Sequence, residues 1–238
     1  MIFDLDGTLS TSGSFSPCLT RATREVLDIS ISKEDQEKRI KSGVSFTNWL
    51  HDVVNNAGIF GIPAEEATAK ILSSAVNHFK QDLLASPVKP LSGATSLLKE
   101  LSSRDDIIIG IVTNNLEEVT ALKLKSSGLI SFFERDKLVE SCEDIREKEV
   151  LIGHLIDCAE EKFKVKFSRR DIYYIGDQVS DVKAGKLAGV RTIGVATGRA
   201  TLCELEESGA DLVLVKLTNS KILSELAGPR QNPMKTSG

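Results

Sequence analysis

The chain has 238 residues, of which 41% are hydrophobic and 27% charged, with a formal net charge of −4. That is long enough to bury a sizeable core in one domain or two, and too mildly acidic to carry a basic footprint for nucleic acid. No stretch approaches the ~18 uninterrupted apolar residues of a membrane span, and Asp4 and Asp6 interrupt the place where a secretory signal would lie.

Cys18, Cys142, Cys158 and Cys203 are scattered, with no C-x-x-C spacing, and read as reduced structural thiols of an intracellular, cytoplasmic protein. His51, His78 and His154 form no H-x-x-x-H pair and read as structural or surface residues rather than zinc ligands. A first strand that starts at Met1 leaves room for a targeting segment upstream.

In chain order, Met1-Ile2-Phe3-Asp4-Leu5-Asp6-Gly7-Thr8 is a short apolar strand ending in two carboxylates and a glycine. Alternate residues of a strand share a face, so Asp4 and Asp6 are expected to look into the space beyond its carboxyl end. Two like charges there repel by a few kcal/mol at an effective dielectric near ~20, and a divalent cation offsets that. From Leu9 to about Ser86 the pattern is helical. A first helix opens at Ser16 or Pro17 and runs to about Leu27. Ser32, with Asp35 three residues on, caps a short one ending at Lys41. A third starts at Ser45 and ends at Gly58, with Phe46, Trp49, Leu50, Val53, Val54 and Ala57 as its apolar stripe. Ala64 to about Leu84 is a fourth, with Ala67, Ile71, Ala75, Val76, Phe79 and Leu83 on one face. Four amphipathic helices without an intervening strand predict a helical bundle.

The character changes at Val88. Pro90-Leu91-Ser92-Gly93 caps a helix, and Ile107 to Val112 is a continuous apolar run of the kind found in parallel strands buried on both faces. Helices and strands then alternate: helix 116–127, strand 137–140, helix 147–163, strand 172–175, helix 179–188, strand 191–195, helix 201–208, strand 211–215 and helix 219–226. The predicted fold class is α/β, a doubly wound parallel sheet. Residues 1–14 and 87–228 form its core and 15–86 an inserted all-helical domain, while 229–238 is a disordered tail. Ligands of open parallel sheets bind outside the carboxyl ends of the strands, so the helical insertion lies as a lid beside Asp4 and Asp6.

Three further stretches end at that edge. Val112-Thr113-Asn114-Asn115 offers a hydroxyl and amides at a helix start, a phosphate cradle, although Thr and Asn also serve as plain helix caps. Tyr173 to Asp181 holds a strand, Gly176, and carboxylates Asp177 and Asp181 four residues apart. Hard oxygen ligands at a strand end suit Mg²⁺, and acids at a helix N-terminus also satisfy the helix dipole. A basic residue is expected in Asp144-Ile145-Arg146-Glu147-Lys148. Residues 146 and 148 lie about 200° apart on a helix, so one of them points inward. Arg146 is favoured because Val150, one turn on, should face the sheet; Lys148 is second.

The order D-x-D-G-T, lid, T-N, basic residue, G-D-x-x-x-D resembles the haloacid dehalogenase superfamily over roughly residues 1 to 215. Gly128-Leu129, Gly185 to Gly189 and Ala196-Thr197-Gly198 look like its phosphoglycolate-phosphatase-like branch. The common K-P-x-P form of the basic motif is absent. The resemblance implies a Rossmann-like core with a helical cap, and a Mg²⁺-dependent phosphatase of small phosphorylated metabolites, with phosphoglycolate-like or sugar phosphates as substrates. It also implies the roles. Asp4 is the nucleophile and Asp6 the acid and base. Asp4, Asp6 (through its carbonyl), Asp177 and Asp181 bind metal. Thr113, Asn114, and Arg146 or Lys148 bind phosphate.

A phosphomutase uses the same carboxyl pair. A dehalogenase lacks an acid at the place of Asp6, and a phosphonate hydrolase needs a lid lysine, for which Lys41 is the candidate. A receiver domain is about half this length. A catalytically silent scaffold is the other non-enzyme reading. Arg39, Lys41, Ser42, Gly43 and Ser45 are candidates for recognising an anionic leaving group, and a monomer or weak homodimer is expected.

Overall fold

The computed structural model describes residues 1–13, 15–32, 34, 35, 38, 46–56, 63–134, 136–141, 147–217, 222 and 224. β1 (Ile2–Phe3) is followed by α1 (Phe15–Leu27), α2 (Phe46–Asn56) and α3 (Ala64–Ala85). Then come α4 (Ala94–Ser102), β2 (Gly110–Thr113), α5 (Glu117–Ser126), the single turn α6 (Ser131–Glu134) and β3 (Val139–Ser141). The last part runs α7 (Lys148–Phe163), β4 (Tyr173–Gly176), α8 (Val179–Leu187), β5 (Arg191–Val195), α9 (Leu202–Glu207) and β6 (Leu212–Leu214).

The six strands form one sheet in the order β3-β2-β1-β4-β5-β6, and every pair is parallel. The fold is therefore the predicted doubly wound α/β sheet. Its strand order reverses at β1, where Ile2 pairs with Gly110 on one side and Tyr174 on the other. The connection after β1 runs to one side, to β2, and the connection after β4 to the other, to β5, so a crevice opens between their carboxyl ends.

Strand alternation assigns side chains to two layers. Phe3, Ile111, Ile175 and Ile193 pack with Leu97, Leu98 and Leu101 of α4. Ile2, Val112 and Tyr174 face the other way, onto Leu151, Ile152, Leu155 and Ile156 of α7 and Ala184 of α8. Both faces are covered, which is why β2 and β4 are buried along their whole length. Each such fully buried aliphatic or aromatic side chain contributes about 1.5–3 kcal/mol relative to exposure.

The helices between β1 and α4 have a core of their own. Phe15, Cys18, Leu19 and Ala22 of α1, Leu50 and Val54 of α2, and Ile71, Ala75 and Phe79 of α3 form one apolar cluster, which Leu116 and Val119 at the start of α5 join. The chain enters and leaves this segment through two adjacent stretches. The Thr11 amide donates to the Lys89 carbonyl at 2.9 Å and the Leu91 amide to the Leu9 carbonyl at 2.9 Å. Ser32 accepts from the Asp35 amide at 3.0 Å, the capping contact expected there.

Some predicted boundaries shift. The apolar run from Ile107 enters the ladder only at Gly110: burial of an apolar run does not say which of its residues find a partner strand. α8 is capped by Gln178, so Asp177 precedes the helix instead of capping it. The third predicted helix has its expected start at Ser45 and its expected end at Gly58 outside the described residues. The final predicted helix, apart from Ile222 and Ser224, and the tail also lie outside them. Among the described residues no helix is long and apolar enough to cross a membrane.

Candidate active site

The loops after β1, β2, β4 and β5 converge at the carboxyl edge of the sheet. The main chain leaves β1 at Asp4, whose amide donates to the Ile175 carbonyl at 2.8 Å, and then turns tightly, with the Gly7 amide donating to the Ser10 carbonyl at 2.8 Å. Gly7 has φ +78, and a Cβ there would lie 2.6 Å from Asp177 Oδ2. Both the turn and the close approach of the loop to Asp177 require glycine.

The turn sends the two carboxylates to different partners. Asp4, buried, accepts from Lys148 Nζ at 3.1 Å. Asp6 Oδ2 accepts from Asn115 Nδ2 at 2.9 Å and Lys123 Nζ at 2.6 Å. Strand alternation is thus too simple a guide here, because only Ile2 and Phe3 are in the ladder.

On the β4 side, Asp177 Oδ2 accepts from the Arg199 amide at 3.0 Å and Oδ1 from Thr8 Oγ1 at 3.3 Å. Asp181 Oδ2 accepts from the Gln178 amide at 3.0 Å, which ties it to the first turn of α8. Its Oδ1 accepts from Lys148 Nζ at 2.6 Å. The Thr197 hydroxyl donates to the Gly7 carbonyl at 2.6 Å and fastens the loop after β5 over the site.

Lys148 is the first residue of α7, where the helix dipole disfavours a cation. Burial works against its ammonium as well, yet Asp181, Asp4 and Tyr174 together outweigh this and raise its pKa well above the ordinary lysine value. Burial, reinforced by Asp181, Asp177 and Asp6 against the opposing Lys148, holds Asp4 well above the usual carboxylate range. Burial and then Asp181 push Asp177 up to about 7. One ammonium does not balance three acids.

Asp4, Asp177 and Asp181 present ligand oxygens that all lie within 4.8 Å of one another. An all-oxygen, buried and charge-deficient cluster of this kind fits a hard divalent cation such as Mg²⁺. The Asp6 carboxylate stands apart from it, beside Lys123. On the β2 side Thr113 is buried at the strand end. Its Oγ1 accepts from the Asn115 amide at 3.3 Å and from Asn115 Nδ2 at 3.0 Å, and Asn114 follows it in the turn.

A family model described as haloacid dehalogenase-like hydrolase matches residues 1–195. The chain belongs to that family. This hydrolase is 29% identical over 168 residues to pyrophosphatase PpaX of Bacillus velezensis, covering 67% of the chain and 69% of the relative. It is 26% identical over 201 residues to pyrimidine 5'-nucleotidase YjjG of Escherichia coli, covering 81% and 83%. Its fold matches the crystal structure of a family IA, variant 3 hydrolase from Entamoeba histolytica with a TM-score of 0.70, at 20% identity over 95% of this chain and 98% of that one.

Of the residues singled out from the hydrolase's sequence, Asp4, Asp6, Thr113, Asn114, Lys148, Asp177 and Asp181 all come from the ends of β1, β2 and β4 and the starts of the helices beside them. Arg146, the favoured basic residue, lies outside the described residues, as do Arg39, Lys41, Ser42, Gly43 and Ser45. Arg146 is favoured only if Val150 faces the sheet, and Val150 does not. Val150 is 53% exposed, and the sheet-facing side of α7 starts at Leu151 and Ile152. With the helix turned that way, it is Lys148 that reaches the acids.

Sequence reasoning missed Lys123, although its signal was legible. Leu116, Val119, Thr120, Lys123 and Leu124 are all buried, at the spacing of one helix face, and a lysine interrupts that stripe. Outside the Asp4, Asp177 and Asp181 cluster, His154 Nδ1 meets Glu140 Oε1 at 3.0 Å and its Nε2 lies 3.8 Å from Cys158 Sγ. Burial and then Glu140 hold that thiol above its ordinary value.

Proposed function

We propose that this hydrolase is a Mg²⁺-dependent phosphatase of small phosphate monoesters that works through a phosphoaspartyl intermediate. The observation that carries the reading is one buried ammonium, Lys148, bridging Asp4 and Asp181 at 3.1 and 2.6 Å, with Asp177 completing the acid cluster. The relatives' names support the reaction class and supply members of a substrate panel: pyrophosphate and pyrimidine nucleoside 5'-monophosphates beside phosphoglycolate and sugar phosphates.

In the first half-reaction an Asp4 carboxylate oxygen forms a bond to phosphorus while the ester P–O bond breaks, and Asp6 gives its proton to the departing oxygen. In the second, Asp6 takes a proton from water, whose oxygen bonds to phosphorus as the Asp4–phosphorus bond breaks. Lys148 holds Asp4 in place and offers charge to the phosphoryl oxygens, with the Thr113 hydroxyl and the Asn114 amide on the opposite side. Asp4, Asp177, Asp181 and the Asp6 carbonyl would hold the cation, which would supply the positive charge that keeps these carboxylates ionised beside a phosphate. The helices of residues 15–86 act as the cap that excludes water and reads the leaving group.

The test is hydrolysis of p-nitrophenyl phosphate by wild type and Asp4→Asn, each with Mg²⁺ and with EDTA. Turnover that needs Mg²⁺ and disappears in Asp4→Asn is the expected result. Equal turnover by the folded variant, or turnover undiminished in EDTA, refutes the reading.

A further inference from the structure

Lys123 is 1% exposed, which is costly for an ammonium unless it is paired and hydrogen-bonded. Its partners are specific. Nζ donates to Asp6 Oδ2 at 2.6 Å and to Asn115 Oδ1 at 3.3 Å. Asn115 Nδ2 donates to the same Asp6 Oδ2 at 2.9 Å and to Thr113 Oγ1 at 3.0 Å. Asp6 Oδ2 is therefore held by two donors, one of them charged. Asp6 Oδ1 is buried and has no hydrogen-bond partner among the described residues.

An oxygen that accepts from an ammonium and an amide has no lone pair directed at an incoming proton; the unclaimed oxygen of the same carboxyl does. The clamp is also attached to the cap. Lys123 Nζ lies 5.9 Å from the centroid of the Phe79 ring on α3, and Leu116 and Val119, earlier on the same helix face, pack in the cap's apolar cluster.

We infer that Lys123, assisted by Asn115, is a positioning residue for proton transfer: it fixes Asp6 Oδ2 and so reserves Oδ1 as the atom that carries the proton to the leaving oxygen and later takes one from water. This rests on the reading of Asp6 as acid and base. Lys123 itself forms and breaks no bond. Because its helix packs against α3, the carboxyl is oriented from the leaving-group side, where the cap lies.

The test compares kcat/KM for two Mg²⁺-dependent substrates, p-nitrophenyl phosphate, whose phenolate departs without a proton, and 2-phosphoglycolate, whose alkoxide needs one. kcat/KM reports steps up to release of the alcohol, so the water step common to both substrates drops out. General acid catalysis contributes roughly 10²–10⁴-fold. Lys123→Met is therefore expected to lower kcat/KM for phosphoglycolate by about 10²-fold or more and for the aryl ester by only a few-fold, with KM for both little changed. Asn115→Ala, which removes the other donor and keeps the lysine, shifts the ratio of the two substrates in the same direction by less.

Equal losses on both substrates, or no loss on either, in the folded Lys123→Met protein overturn the inference and leave Lys123 a structural counter-ion. If Lys123→Met does not fold, an unchanged substrate ratio in Asn115→Ala overturns it. Asp4→Asn separates this from failure of the underlying reading. Activity that survives in Asp4→Asn removes the phosphatase mechanism itself, whereas activity lost there with a uniform effect at Lys123 removes only the positioning role.

Discussion

Gly198→Ala adds one methyl group to the loop after β5 and tests the site through its walls rather than its reactive groups. A Cβ there falls 1.8 Å from Asp177 Oδ2, 2.4 Å from Cγ and 2.9 Å from Cβ, where ordinary contact begins at 3.4 Å. Gly198 is not among the glycines with positive φ, so the effect is steric. Asp177 cannot swing away freely, being buried and held by the Arg199 amide and Thr8. The carboxylate or the loop must shift by about 1.6 Å, and a misplacement of about 1 Å costs on the order of 10²-fold in rate. The expected outcome is a loss of at least about 10²-fold in kcat/KM on p-nitrophenyl phosphate, equivalent to about 2.7 kcal/mol, with a raised Mg²⁺ requirement. Gly153→Ala is the control: nothing lies within 4 Å of its Cβ, and alanine in the middle of α7 should leave activity unchanged and add about 0.5–1 kcal/mol of stability. A Gly198→Ala enzyme within about threefold of wild type in both rate and Mg²⁺ half-saturation would refute the packing argument.

Other perturbations address the charges. Lys148→Met removes the one cation bridging Asp4 and Asp181; activity should fall about 10²–10³-fold. Breaking a buried pair costs about 3–5 kcal/mol, and urea unfolding in EDTA should show a loss of that order at alkaline pH that fades as the pH falls and Asp4, which burial holds well above the usual carboxylate range, takes up its proton. A loss independent of pH would mean that packing, not charge, was removed. Metal-free stability carries its own pH signature. Asp177 sits at about 7 against an unperturbed 3.8, so between those values the folded state binds more protons than the unfolded one, and stability falls as pH rises. The acids with lowered values, Glu25, Asp82, Glu160 and Glu204, act in the opposite sense at lower pH. Thermal melts in EDTA from pH ~5 to ~8 should therefore fall for wild type and fall less steeply for Asp177→Asn, in which Asp4 is still held above its ordinary range by burial, and added Mg²⁺ should restore most at the alkaline end. A wild-type curve parallel to that of Asp177→Asn would count against the raised value.

The amino-acid sequence by itself determined the parallel sheet and the acids at its edge, because both are local statements. Buried strands read as unbroken apolar runs, and Asp4, Asp6, Asp177 and Asp181 stand next to the strands that carry them. The helical insertion was legible for the same reason, from the 3.6-residue spacing of Ile71, Ala75 and Phe79 in α3.

Tertiary structure alone decided the pairings. That Lys148 reaches the acids depends on how α7 is rotated about its axis, and Val150 misled because an apolar residue at the exposed end of a helix looks like one on its inner face. Asp4 and Asp6 part company because of a turn at Gly7 whose direction is set by contact with Asp177, 170 positions further along. Lys123 interrupts an apolar stripe in a way visible in the sequence, but its partner Asp6 lies 117 residues away. A buried charge is intelligible only once the opposite charge that holds it has been brought alongside by the fold.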